Sequence, residues 1–330
     1  MSIINSIQAI QIIDSRGTPT VSCKVTLDNG ICATSMVPSG ASTGSREALE
    51  LRDGASTYKG KGVTKAVANI HEIIAPALVG MDVTNQQEID EKMLALDGTS
   101  SKSKLGANAI LGVSLAVLDA GSKTLELPLY EHINQVFANI NGEKPRMQMP
   151  TPMLNIINGG EHADNNIDIQ EFMIMPVGAN NFSQAMQWAT EIYSDLKNIL
   201  NAKGLSTSVG DEGGFAPNLQ SNQEAIELII QAIRNNNLTE GKDVGIALDC
   251  AASEFYNNGI YNLQGESIKL NSSEFTNYLS ELTRQYPIFS IEDGMDESDF
   301  EGWKNLNKAL GDSCQLVGDD LFVTNVAELQ

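Results

Sequence analysis

Apolar and polar positions alternate from Ile7 to Ile13 and again from Val21 to Leu27, the period of a half-buried strand. Asp14-Ser15-Arg16-Gly17 supplies a turn between them. Asp28-Asn29-Gly30 is a hairpin signal that returns the chain through Ile31 to Val37, so the opening predicts a three-stranded meander. Helical spacing then takes over. One helix is predicted from Thr64 to Leu78, ending at Gly80, and a second behind Thr84, ending at Gly98. A third, from Asn108 to Leu125, is apolar on most faces and is expected to be buried. Strands followed by a run of helices make an α+β unit.

The pattern changes after Pro145 to Pro152, where three prolines mark a boundary. Apolar runs at Met153–Ile157, Phe172–Val177, Val244–Leu248, Ile288–Ile291 and Leu316–Val317 read as strands. Helical stretches at Phe182–Lys203, Gln223–Arg234 and Ser273–Gln285 separate several of them. Repeated strand-then-helix units predict a parallel sheet covered on both faces, a barrel or a doubly wound sheet. Two domains are therefore expected, residues 1–140 and 141–330. The residues from Thr151 onward are fewer than the roughly 250 of a complete eight-stranded barrel, so the expectation is an incomplete barrel with about five of eight strands.

Composition narrows the function classes. The 42 acidic residues outnumber the 21 basic ones, a formal net charge of -21 that repels nucleic acid and anionic membranes and favours cations. Cys23, Cys32, Cys250 and Cys314 show no paired spacing and read as free thiols. The first residues lack the basic start of an export signal, and no apolar stretch is long enough to span a membrane, so the expected address is the cytoplasm.

Three carboxylates stand out because they directly follow apolar strands: Asp249, Glu292 and Asp319. In a parallel barrel those strand ends open on one face, where the three would converge. Buried alone they would repel one another, and a hard divalent cation held by oxygen ligands removes that cost. The competing reading is that each caps the helix after its strand. Asp293 and Asp320 sit beside two of these candidates and are expected to orient the groups surrounding the ligands. Gly210-Asp211-Glu212-Gly213-Gly214 places an acid between glycines, Ser39-Gly40-Ala41-Ser42-Thr43-Gly44 suits a mobile lid without a nucleotide motif, and His162 lies in a polar loop after a strand end. His71 and His132 fall in helical patterns without acidic partners and carry no assigned role.

Seven strings then occur in one order: Ser39-Gly-Ala-Ser-Thr-Gly44, Gly159-Gly-Glu-His162, Gln170-Glu171-Phe-Met173, Gly210-Asp-Glu-Gly-Gly214, Asp249-Cys-Ala-Ala-Ser-Glu-Phe-Tyr256, Ser290-Ile-Glu-Asp293 and Gly318-Asp-Asp-Leu321. Together they resemble the motifs of the enolases. That resemblance implies an α+β N-terminal domain followed by an α/β, TIM-like barrel that begins with two strands and then two helices. It also implies the magnesium-dependent interconversion of 2-phosphoglycerate and phosphoenolpyruvate.

By the same resemblance, Asp249, Glu292 and Asp319 match the ligands of a first Mg2+, and Ser42 matches a ligand of a second. Glu212 matches the proton donor and Glu171 its partner carboxylate. His162, Glu171, Gln170, Glu292 and Asp319 match positions near the substrate. A homodimer is implied, with Arg16 resembling an interface residue, while Thr18 replaces the more usual asparagine. The family's base lysine, a His-Arg-Ser segment and a second lysine would all fall after Gln330, so a chain of these residues is expected to be inactive or nearly so. Two other readings stand beside this one. The first is a non-catalytic protein binding plasminogen or RNA-processing partners, displayed at the cell surface or secreted without a signal peptide. The second is an acid-sugar dehydratase or cycloisomerase of the wider superfamily.

Overall fold

The computed structural model describes residues 2–40, 44–54 and 56–329. The chain divides into two compact units, Met1–Gln148 and Met149–Gln330.

In the first unit, β1 (Ile4–Ile13), β2 (Pro19–Leu27) and β3 (Cys32–Met36) form an antiparallel meander in the order β1-β2-β3. Alternation buries Ile7, Ala9, Val21, Cys23 and Val25 against the helices that follow. The predicted helix from Thr64 is continuous but not uniform. It runs as α1 (Thr64–Asn69), a π-helical turn (Ile70–Ile74) and α2 (Ala75–Leu78). In the π turn His71 faces the sheet, and its Nε2 accepts the Ala9 N–H at 2.9 Å. Helix α3 (Gln86–Asp97) ends at Gly98 with φ 70°, a left-handed cap that glycine adopts without strain. Helix α4 (Ala107–Thr124) is the buried one, packed on β2 and β3. A further helix, α5 (Leu129–Asn141), was not among the sequence expectations; it starts behind Pro128 and ends at Gly142 with φ 76°.

The second unit is built on a five-stranded sheet. Its strands are β4 (Leu154–Asn158), β5 (Glu171–Met175), β6 (Gly245–Asp249), β10 (Ile288–Glu292) and β11 (Gln315–Val317). They lie in sequential order, β4 at one edge and β11 at the other, and the described residues do not close a barrel. The expectation of an all-parallel sheet is corrected here. Strand β4 pairs antiparallel with β5, and β5 antiparallel with β6, before β6, β10 and β11 run parallel. The reason is connectivity. No crossover helix lies between β4 and β5, so the chain turns straight back. Two helices, α6 (Phe182–Ala202) and α7 (Asn222–Asn235), separate β5 from β6 and reverse the direction again. A second sheet that the sequence reading lacked, β7 (Tyr256–Asn257), β8 (Ile260–Leu263) and β9 (Ile268–Asn271), leads into α8 (Ser272–Gln285). Helix α9 (Phe300–Leu310) then joins β10 to β11.

The faces of the main sheet differ. Phe172, Ile174, Ile246, Leu248 and Ile291 join Ile192, Leu196, Ile229, Ile233, Leu279 and Leu306 of the helices in one core. Met173 and Ala247, alternate residues of the same strands, are buried but stand outside that core. The helices therefore cover one face, and the strand-end polar residues lie on the other.

Candidate active site

Strand pairing sets a polar row across one end of the sheet. Asn158 of β4 stands opposite Glu171 of β5, Glu171 opposite Asp249 of β6, and Asp249 opposite Glu292 of β10. Directly paired residues share a face, so these side chains project together. Glu292 pairs in turn with Val317, and Asp319 follows two residues later at the start of the short helix α10 (Asp319–Phe322). The backbone thus places Asp249 and Glu292 at adjacent strand ends, with Asp319 two residues beyond the end of β11. The alternative of plain helix capping gains nothing for Asp249, whose Oδ1 accepts the Ala251 N–H at 3.0 Å in a local turn.

Gln170 sits beneath Asp249 and is bound to it twice. Its backbone N–H donates to the Asp249 carbonyl at 3.1 Å, and its Nε2 donates to Asp249 Oδ2 at 3.2 Å. His162, in a one-turn 3-10 segment after β4, is buried rather than exposed in the loop. Its Nδ1 lies 3.2 Å from Glu171 Oε1 without the alignment of a hydrogen bond. Its carbonyl accepts the Asp211 N–H at 3.0 Å, which ties the histidine turn to the glycine-flanked acid loop.

That loop is fixed from several sides. The Gly210 N–H donates to the Gly214 carbonyl at 2.8 Å, the Tyr193 hydroxyl donates to the Gly213 carbonyl at 2.8 Å, and Tyr193 stacks on Phe215 at 4.3 Å. A Cβ at Gly214 would lie 2.2 Å from Asn158 Oδ1, and one at Gly210 would lie 2.4 Å from the His162 carbonyl. Both glycines are required by close approach, and the Glu212 carboxylate between them is near enough for its charge to act on Glu171.

Among the described residues, the charges that shift these acids are those of other acids. Burial pushes Glu171 up to about 7, helped by the charges of Asp249 and Glu212. Burial raises Asp249 to about 7 as well, with Glu292 next to it. Glu292 reaches about 7 through burial and then Asp293, Asp319 and Glu171. Asp293 is likewise raised to about 7 by burial, against the lowering hydrogen bond from Asp320. The charged neighbours that shift these groups most are other carboxylates.

Among the described residues, no three acidic, histidine or cysteine side chains stand in a ready-made coordination cluster. Like-charge repulsion is reason enough for them to stand apart. The donor set itself is all oxygen and anionic, which fits a hard divalent cation such as Mg2+ and not a soft one. Asp249, Glu292 and Asp319 would hold it. Ser42, expected beside a second ion, lies outside the described residues.

Asn158 was absent from the sequence candidates. It is fully buried, and both its side-chain amide atoms lack a hydrogen-bond partner. Its place in the row depends on the β4–β5 register, which alternation in sequence does not reveal. The signal available was an asparagine at a strand end directly before two glycines.

Comparison with known families agrees with this geometry. Residues 4–133 match the family described as Enolase, N-terminal domain, and residues 146–330 match Enolase, C-terminal TIM barrel domain. The chain belongs to the enolase family, with an N-terminal α+β domain and a TIM-barrel-type domain that follows it.

Proposed function

We propose that this site serves the family's lyase chemistry, the reversible dehydration of 2-phospho-D-glycerate to phosphoenolpyruvate. The observation that carries the reading is the row Glu171–Asp249–Glu292 with Asp319 on the next strand end. Asp249, Glu292 and Asp319 would hold one Mg2+, and a second would join with the substrate. Bound there, the metal offsets the negative charge that grows beside the substrate carboxylate, as in enolase-superfamily sites generally.

The chain's own residues supply the acid side. Glu212, on the fixed loop, donates the proton to the departing 3-hydroxyl. Glu171 is its partner. Burial, with the charges of Asp249 and Glu212, pushes the Glu171 carboxyl up to about 7, which lessens the cost of two acids side by side. His162 borders Glu171 and the acid loop at once, which suits a substrate contact. Gln170 orients Asp249 through its two hydrogen bonds.

The base side is different. Among the described residues of the second unit, no lysine stands at the row's end of the main strands: Lys304, for example, is an exposed residue of α9 paired with Glu301 at 2.5 Å.

Calorimetric titration with phosphoenolpyruvate, with and without Mg2+, tests the reading. Binding that requires Mg2+ and disappears in Asp319→Asn is expected; binding indifferent to Mg2+ contradicts it.

A further inference from the structure

Each of the three carboxylates assigned to the ion sits on a different turn, and one residue joins all three turns. Asp293 directly follows β10 and its ligand Glu292. Its backbone N–H donates to the Val317 carbonyl at 3.0 Å, at the end of β11 and two residues before Asp319. Its carbonyl accepts the Ala252 N–H at 3.0 Å, from the turn after β6 and Asp249. Its Oδ2 accepts the Asp320 N–H at 3.0 Å, directly beside Asp319. The residue is 4 % exposed, and its φ of 42° lies in the left-handed region, which Asp and Asn tolerate better than other side chains. The remaining oxygen, Oδ1, is buried and has no protein partner.

We infer that Asp293 is a positioning residue for the metal: its carboxylate holds the Asp319–Asp320 turn in register with Asp249 and Glu292. The inference rests on the magnesium reading given above. The hydrogen bond to Asp320 fixes where the Asp319 backbone lies, and the two backbone bonds fix the neighbouring turns relative to it. The buried Oδ1 is left as an acceptor that a water molecule can satisfy by donating a hydrogen bond. The side-chain requirement is an acceptor oxygen at this distance on a left-handed backbone, which both aspartate and asparagine meet. Glycine meets the backbone requirement alone.

The test is calorimetric titration of the chain with Mg2+ alone, with urea unfolding of each variant alongside. Asp293→Asn is expected to keep its affinity within about threefold, because the acceptor remains. Asp293→Gly relaxes the backbone and removes the acceptor, and should weaken binding about 10- to 100-fold, the range for residues that orient metal ligands. Asp293→Asn, which suits the left-handed backbone, keeps the inference testable should the glycine variant prove too unstable to titrate. A truncation that binds Mg2+ as tightly as the unaltered chain overturns the inference. So does an Asp293→Asn variant as weak as the truncation, which would make the charge, not the hydrogen bond, the cause. Asp249→Asn separates the two levels. If the unaltered chain fails to bind Mg2+, or Asp249→Asn binds it equally well, the magnesium reading falls and this inference falls with it.

Discussion

At the scale of single residues, the site is a problem of like charges. Asp249 is the charge that raises Glu171 most, after burial itself. Replacing Asp249 by Asn removes that charge and keeps the shape, so Glu171 should titrate lower, by on the order of one pH unit. Carboxyl 13C NMR across pH 4–9 reads this directly, and an unmoved Glu171 midpoint would remove Asp249 as a cause. The carboxylates themselves were legible in sequence because each acid closes an apolar run: Leu248 precedes Asp249 and Ile291 precedes Glu292. Asn158 was not legible. Nothing in its own neighbourhood says that Glu171 stands opposite, since that pairing depends on a register shift between Asn155 and Ile157.

At the scale of elements, the acid loop and the caps hold the site in place. Gly214→Ala would drive a methyl group to 2.2 Å from Asn158 Oδ1 and 2.9 Å from the backbone of Ile156 and Ile157. A loss of roughly 1–3 kcal/mol in urea unfolding is expected, the usual cost of overpacking. Because backbone atoms also crowd the position, Asn158→Ala should relieve only part of it; full recovery in the double variant would contradict this geometry. Helix α8 begins with a capping box in which Asn271 accepts from Ser273 and Glu274 while the Glu274 carboxylate accepts the Asn271 N–H. Asn271→Ala should cost about 1 kcal/mol, read from the same unfolding curves.

The longer elements were visible from their periodicity, and the misses have physical causes. Strands β7, β8 and β9 are two to four residues long, too short for alternation to register. Helix α5 carries exposed apolar residues, Tyr130, Ile133 and Phe137 among them, with His132 and Asn134 as its buried positions, so its pattern does not read as a core-facing stripe. The antiparallel start of the main sheet was not legible, because apolar runs carry no strand direction.

At the scale of the whole molecule, a net charge of -21 and the row of buried acids act in the same sense. Glu171, Asp249, Glu292 and Asp293 all have folded values raised to about 7, above the ordinary carboxylate range near 4. Between about pH 4 and pH 7 the folded chain therefore holds more protons than the unfolded one, and stability falls as pH rises through that window. Metal-free protein should melt at least about 5 °C lower at pH 8 than at pH 5. Mg2+ should raise the melting temperature far more at pH 8, where the carboxylates are ionised, than at pH 5, where protons compete for them. Differential scanning calorimetry at the two pH values checks both, and a Mg2+ effect equal at pH 5 and pH 8 would disagree.

The central claim is that Asp249, Glu292 and Asp319 form one cation site at the ends of adjacent strands. Anomalous diffraction from crystals grown with Mn2+, which shares the oxygen preference of Mg2+, tests it most directly. The account predicts an anomalous peak bonded to carboxylate oxygens of all three residues. A peak bound elsewhere on the chain, with none among these three carboxylates at saturating Mn2+, would contradict it.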